Sequence, residues 1–240
     1  MNVTRAGGAD DGAAIGVVCL DTSFTKIPGH IRNRATFGFP VVYHVVSGAT
    51  PERVVTRPDP ALLQPFIQAA VQLDAAGVSA ITSACGFLAL FQAELAGAVR
   101  IPLYSSSLMQ VPMVHRMLAA GRKVGILTAS ASSLSPAHLA GVGAESVPVR
   151  IAGMAEQPEF REVILEGKRD DLDPRRLRSE VLGVAEALVR GNPDVAALVL
   201  ECTDLVPFAH DIQARTGVPV FDIVTLTGLV HASLNRRPFT

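Results

Sequence analysis

Short apolar runs rich in Val, Ile and Leu recur along the chain, and most are closed by Gly, Pro, Asp or Asn. They read as strands over Ile15–Leu20, Val41–Val46, Ala80–Ala84, Ile101–Tyr104, Lys123–Thr128, Val147–Ile151, Ala196–Glu201 and Val218–Phe221. The runs are continuous rather than alternating, which fits strands covered on both faces. Segments with 3.6-residue spacing separate several of them. The spacing predicts helices over Leu62–Ala76 and Arg175–Arg190, and similar segments at Leu88–Ala96 and Leu205–Arg215. Alternation of this kind implies an α/β fold with a mostly parallel sheet.

The pattern also repeats. With an offset of 117 residues, Val78-Ser79-Ala80-Ile81 lies over Val195-Ala196-Ala197-Leu198, and without a gap Cys85 falls on Cys202, Leu88 on Leu205 and Phe91 on Phe208. The next strand follows, Ile101-Pro102-Leu103-Tyr104 over Val218-Pro219-Val220-Phe221. A weaker match sets Ile15-Gly16-Val17-Val18 over Val124-Gly125-Ile126-Leu127. The expected architecture is therefore two pseudo-symmetric Rossmann-like lobes, each with a mostly parallel four-stranded sheet and a cysteine ending its third strand, with the site in the cleft between them. Matched aliphatic residues alone would follow from any two βαβ units; the coincident cysteines would not.

Composition narrows the chemistry. With 21 basic against 22 acidic residues among 240, the chain has no net excess of positive charge to offer nucleic acid. No apolar run reaches the ~18 residues that suggest a membrane span. Residues 1–14 lack the basic start and apolar core of a signal peptide and read as a disordered leader on a cytoplasmic protein. The three cysteines have neither metal-motif nor disulfide-framework spacing, so reduced thiols and no metal are expected.

Ligands of open α/β sheets bind beyond the carboxyl ends of the strands. Those ends carry Asp21-Thr22-Ser23, Thr82-Ser83-Ala84-Cys85-Gly86, Ser105-Ser106-Ser107, Thr128-Ala129-Ser130 and Cys202-Thr203-Asp204. The chain has no glycine-rich nucleotide fingerprint, so no cofactor is expected. Each of Cys85 and Cys202 stands just before a predicted helix, where unpaired N–H groups favour thiolates and bound anions. Cys19, inside the first strand, reads as core. Two opposed thiols suit racemisation, in which one base removes a proton and a conjugate acid returns one to the other face. Hydroxyls of Thr82, Ser83, Thr128 and Thr203 are placed to hold a carboxylate and its enediolate-like charge.

Ile81-Thr82-Ser83-Ala84-Cys85-Gly86-Phe87 and Leu200-Glu201-Cys202-Thr203-Asp204-Leu205 resemble the paired cysteine signatures of the aspartate/glutamate/hydantoin racemase superfamily. The resemblance runs from about Ile15 to Leu234. It implies a first lobe of residues 15–110 plus 222–240 and a second of 111–221, independence from pyridoxal phosphate and metals, and a homodimer. The segment Leu108–Leu118 reads equally as a dimer surface and as a buried helix. It further implies Cys85 and Cys202 as the acid/base pair, with Asp21 orienting or tuning one thiol. The implied substrate-binding set is Thr22, Thr82, Ser83, Gly86, Phe87, Ser105, Thr128, Thr203 and Asp204. Gly86-Phe87 and Thr203-Asp204 depart from the Asn-Thr and Thr-His that follow the cysteines of amino-acid racemases, which disfavours glutamate itself. The expectation is a racemase or epimerase acting next to a carboxylate or equivalent carbonyl, on an amino acid such as aspartate or a hydantoin. The alternatives are an arylmalonate-type decarboxylase, a maleate-type cis–trans isomerase, and a non-catalytic small-molecule binding protein. The loop Lys26-Ile27-Pro28-Gly29-His30-Ile31-Arg32-Asn33-Arg34 fits either of two readings: a fold over the cleft in which Arg32 and Arg34 meet a second carboxylate, or a solvated basic loop.

Overall fold

A computed structural model of the chain describes residues 3–6, 12–236 and 238. Strands β1 (Val3–Ala6), β2 (Ile15–Cys19), β3 (Val41–Val45), β4 (Ala80–Ser83) and β5 (Leu103–Tyr104) form one sheet in the order β1-β3-β2-β4-β5. Strands β6 (Lys123–Thr128), β7 (Val149–Gly153), β8 (Val195–Leu200) and β9 (Val220–Phe221) form a second in the order β7-β6-β8-β9. Setting β1 aside, the sheets share one strand order and all their pairings are parallel. The expected pair of pseudo-symmetric α/β lobes is what the chain forms.

The repeat holds in detail. Under the 117-residue offset β5 lies on β9, and the 3₁₀ turn Gly86–Phe91 lies on Thr203–Phe208. Where the spacing predicts single helices over Leu88–Ala96 and Leu205–Arg215, these 3₁₀ turns come first. The α-helices α2 (Gln92–Gly97) and α6 (Ala209–Thr216) follow them. Strands β5 and β9 are shorter than predicted, because Pro102 and Pro219 have no N–H for the ladder. Their carbonyls still accept, from Ile81 and Leu198 respectively.

Helix α1 (Leu63–Ala75) buries Phe66, Ala69, Ala70 and Leu73, a stripe of i, i+3, i+4 and i+7 positions. Helices α3 (Val111–Met117) and α4 (Pro136–Gly141) come before the long α5 (Pro174–Gly191). The side chain of Asp173 caps α5 by accepting from the N–H groups of Arg175 and Arg176, with Pro174 in the first turn. Helix α7 (Ile223–Leu234) returns to the first sheet, where Ile223 and Leu226 join a cluster with Ile15, Val17 and Tyr43.

The disordered leader expected over residues 1–14 needs correction at Val3–Ala6. This segment pairs antiparallel with β3, Val3 opposite His44 and Ala6 opposite Val41. The edge of β3 would otherwise present unpaired backbone groups, and a short β-branched segment satisfies them. Residues 1–2 and 7–11 lie outside the described residues.

Candidate active site

The carboxyl ends of β2, β4 and β8 converge on one cleft enclosing about 480 Å³, open mouth included. Cys85 and Cys202 both line it, each nearly buried, at the start of the two equivalent 3₁₀ turns. Two π-helical turns, Glu52–Thr56 from the first lobe and Phe160–Leu165 from the second, contribute Val55, Ile164 and Leu165 to its apolar side. Leu20, Phe24 and Phe87 complete that side.

The charged side comes from the 22–40 loop and the second lobe. Asp204 accepts from His30 Nε2 at 3.2 Å, and Lys26 Nζ lies 3.9 Å from the same oxygen. His30 Nδ1 accepts the backbone N–H of Arg32 at 2.9 Å, so the proton of the neutral ring is on Nε2, facing Asp204. Arg32 donates to the carbonyl of Leu20 and to Thr22 Oγ1 at 2.8 Å, which holds its guanidinium at the cleft. Burial alone would raise the pKa of Asp204; the charge of Lys26 and the interaction with His30 overcome this and hold it at about 2. Burial lowers the Lys26 pKa to about 8, with Asp204 opposing the shift. Burial likewise lowers that of His30.

Glu201 directly follows β8 and is 1% exposed. Its Oε2 accepts from Thr128 Oγ1 at 2.6 Å and from the N–H of Ala129 at 3.3 Å. Burial outweighs these donors and raises the Glu201 pKa to about 7. Gly86 packs directly on Glu201. A Cβ at residue 86 would collide with the Glu201 carboxylate and carbonyl, so this position needs glycine for close approach. Burial, reinforced by the charges of Glu201 and Asp204, pushes both thiols well above their ordinary range. Backbone N–H groups oppose that shift at each thiol, those of Phe87 and Leu88 at Cys85 and that of Asp204 at Cys202. Cys202 donates to Asp204 Oδ2 at 3.7 Å.

Of the residues expected at the site, the fold brings Cys85, Cys202, Thr22, Gly86, Phe87, Thr203 and Asp204 to the cleft, together with Arg32 from the expected loop. Thr203 braces the lobes, donating to the Ala84 carbonyl at 3.0 Å. Other strand-end hydroxyls turn to the backbone instead: Thr82 to the Tyr104 carbonyl, Ser83 to those of Cys85 and Ser105. The Ser105 side chain is buried away from the cleft, and Thr128 reaches it only through Glu201. Asp21, expected beside a thiol, is exposed, accepts from the N–H of Gly48 at 2.9 Å and lines a neighbouring depression. Arg34 is not among the cleft-lining residues. Lys26, His30 and Glu201 were not among the predicted contacts. A carboxylate closing an apolar strand, directly before a cysteine, was the available signal for Glu201. Among the described residues no group of three or more His, Cys, Asp or Glu is gathered as a metal ion requires, and no helix is long and apolar enough to cross a membrane.

The family model described as "Asp/Glu/Hydantoin racemase" matches residues 30–227. A dimethylsulfoniopropionate lyase of Durusdinium sp. clade D is 33% identical over 219 residues, covering 88% of this chain and 72% of that protein. Dimethylsulfoniopropionate lyase 3 of Emiliania huxleyi is 33% identical over 238 residues, covering 95% of this chain but 61% of the relative. Among solved structures, a sulfate-associated variant of arylmalonate decarboxylase superposes with a TM-score of 0.61 at 16% identity, covering 94% and 97% of the two chains. That likeness concerns the fold. The lyases overturn the expected racemase or epimerase: relatives matching most of this chain carry out a different reaction on the same fold.

The cleft also contains a physical reason for the correction. A racemase needs bases of matched character on its two faces. Under the 117-residue offset Ala84 stands opposite Glu201, and Phe87 opposite Asp204. One thiol is flanked by apolar groups from its own half, the other by two acids. The pair is equivalent in position and unequal in surroundings.

Proposed function

The chain belongs to the Asp/Glu/hydantoin racemase family, and from that premise we propose that this enzyme is a lyase that eliminates dimethyl sulfide from dimethylsulfoniopropionate. The observation that carries this reading is the 33% identity to dimethylsulfoniopropionate lyases across most of the chain. The cleft's chemistry suits it. The substrate has a carboxylate at one end and a sulfonium cation at the other. Lys26 and Arg32 provide the positive end for the carboxylate, and the apolar lining that includes Phe87 suits the methyl groups of the sulfonium.

A thiolate from the Cys85/Cys202 pair removes a proton from the carbon next to the carboxylate. Negative charge then develops on the carboxylate oxygens as an enediolate, where Lys26 and Arg32 stabilise it. Its electron pair forms the C=C bond as the C–S bond breaks, giving acrylate, dimethyl sulfide and one proton. The sulfur leaves as a neutral molecule and takes no proton with it. One base is therefore enough, which fits thiols set in unequal surroundings.

The purified chain is expected to release dimethyl sulfide and acrylate in equal amounts from dimethylsulfoniopropionate, followed by headspace gas chromatography and proton NMR. Absence of both products at millimolar substrate would sink the reading. The pH dependence of KM supplies a second check. Lys26 is cationic below about pH 8 and loses its charge above it, so KM should rise as pH climbs through that value. A KM that stays flat to pH 9.5 would exclude Lys26 as a carboxylate anchor.

A further inference from the structure

Glu201 has no part in binding either end of the proposed substrate, yet it is a buried acid on the wall of a catalytic cleft. Burying a carboxylate is costly unless it is well paired. Both of its hydrogen bonds fall on Oε2, which fixes the carboxyl plane, while Oε1 packs against Gly86, the residue following Cys85. Among the groups acting on the Cys85 thiol, the charge of Glu201 ranks next after burial. The backbone N–H groups of Phe87 and Leu88 act in the opposite sense and favour the thiolate. Cys85 thus has donors ready for a thiolate and a carboxylate nearby to take its proton.

Cys202 also feels the charge of Glu201 and has one backbone N–H favouring its thiolate, that of Asp204, but its proton is already committed. Its thiol donates to Asp204, which Lys26 and His30 hold as a carboxylate. An acid so strongly held in its charged form is a poor proton acceptor.

We propose that Glu201 is the positioning residue that accepts the thiol proton of Cys85, so that Cys85 rather than Cys202 meets the substrate as the base. The proton balance closes. Cys85–SH and Glu201–COO⁻ become Cys85–S⁻ and Glu201–COOH. The thiolate takes the α-proton and is again a thiol, the products leave, and Glu201 releases its proton to water. The working form requires Glu201 ionised before the transfer, so activity rises with pH through the region of its pKa, about 7. The titratable groups facing Glu201 are Cys85 from the first lobe and Cys202 and Asp204 from its own. Lys26 and His30 lie beyond Asp204.

The assignment of roles rests on the lyase reading, but the proton transfer can be measured without substrate. Alkylation of Cys85 by iodoacetamide, followed by peptide mass spectrometry, is expected to rise between pH 6 and 8 in the parent protein. In Glu201→Gln that limb should vanish, leaving reaction only at alkaline pH, while kcat falls at least 100-fold and KM changes less than threefold. Glutamine can still accept from Thr128 and Ala129. Should the variant fail to fold, Thr128→Val gives an independent test. Losing a donor to the carboxylate raises its pKa, so the alkylation limb should move to higher pH. An unchanged Cys85 profile in either folded variant overturns the proposal, as does Glu201→Gln turning over substrate at the parental kcat. If the profile responds as expected but the parent makes no dimethyl sulfide, the lyase reading falls and the proton transfer stands.

Discussion

Cys85→Ser is expected to lower kcat for dimethyl sulfide release by about three orders of magnitude, within the range that a positioned general base contributes. A serine hydroxyl keeps the size and the hydrogen-bonding role of the thiol but does not yield its proton to a carboxylate near neutrality. Cys202→Ser should cost far less, no more than about tenfold. It weakens one hydrogen bond to Asp204, worth about 1 kcal/mol, and a factor of ten corresponds to about 1.4 kcal/mol. The measurement is a pair of kcat values under saturating substrate, with circular dichroism confirming both folds. Equal and complete losses would show that both thiols transfer protons and that the inequality of their surroundings has no kinetic meaning. Loss confined to Cys202→Ser would reverse the assignment.

Asp204→Ala should produce the largest loss of stability of any single change at the cleft. The carboxylate joins the 22–40 loop to the second lobe through Lys26 and His30, and none of the three side chains exceeds 15% exposure. Removing the acid leaves a buried ammonium and a buried imidazole without their partner. Breaking a buried pair from one side costs about 3 kcal/mol or more, which for a chain of this length lowers Tm by on the order of 10 °C. The sign of the pH dependence is fixed by the depressed pKa. Asp204 contributes its stability above the ordinary value of 3.8, and loses it as pH falls towards 2. The Tm difference between parent and variant should be full at pH 7 and should shrink below pH 4. A difference of less than 2 °C at pH 7 would mean that Asp204 does not hold the loop.

The lobes were legible in the sequence because the 117-residue repeat constrains the fold twice. Val, Ile and Leu at matched positions predict two buried strands, and Pro102 and Pro219 mark the same early break in each ladder. The two thiols were legible for the same reason. Strand-end hydroxyls were harder to read. Thr22 and Thr82 both follow or close an apolar run, yet Thr22 receives Arg32 at the cleft while Thr82 satisfies a carbonyl of the adjacent strand. Which fate a hydroxyl meets depends on the twist and register of its neighbour, and these are properties of the pairing rather than of the local sequence. Glu201 was read as a strand terminus because its partners, Thr128 and Ala129, arrive from a strand 73 and 72 residues away. The reaction was misread from the cysteines' equivalence in position, although Ala84 against Glu201 and Phe87 against Asp204 already distinguished them.

That division between an apolar wall and a charged wall has a stereochemical consequence. Dimethylsulfoniopropionate is achiral, and in water the two hydrogens on its α-carbon react alike. A cleft lined by Phe24 and Phe87 as well as by Lys26 and Arg32 would favour one orientation of a molecule with one anionic and one cationic end. With Cys85 as the base in the proposed elimination, the two hydrogens would become distinguishable, and one prochiral position would lose its proton while the other is carried intact into acrylate.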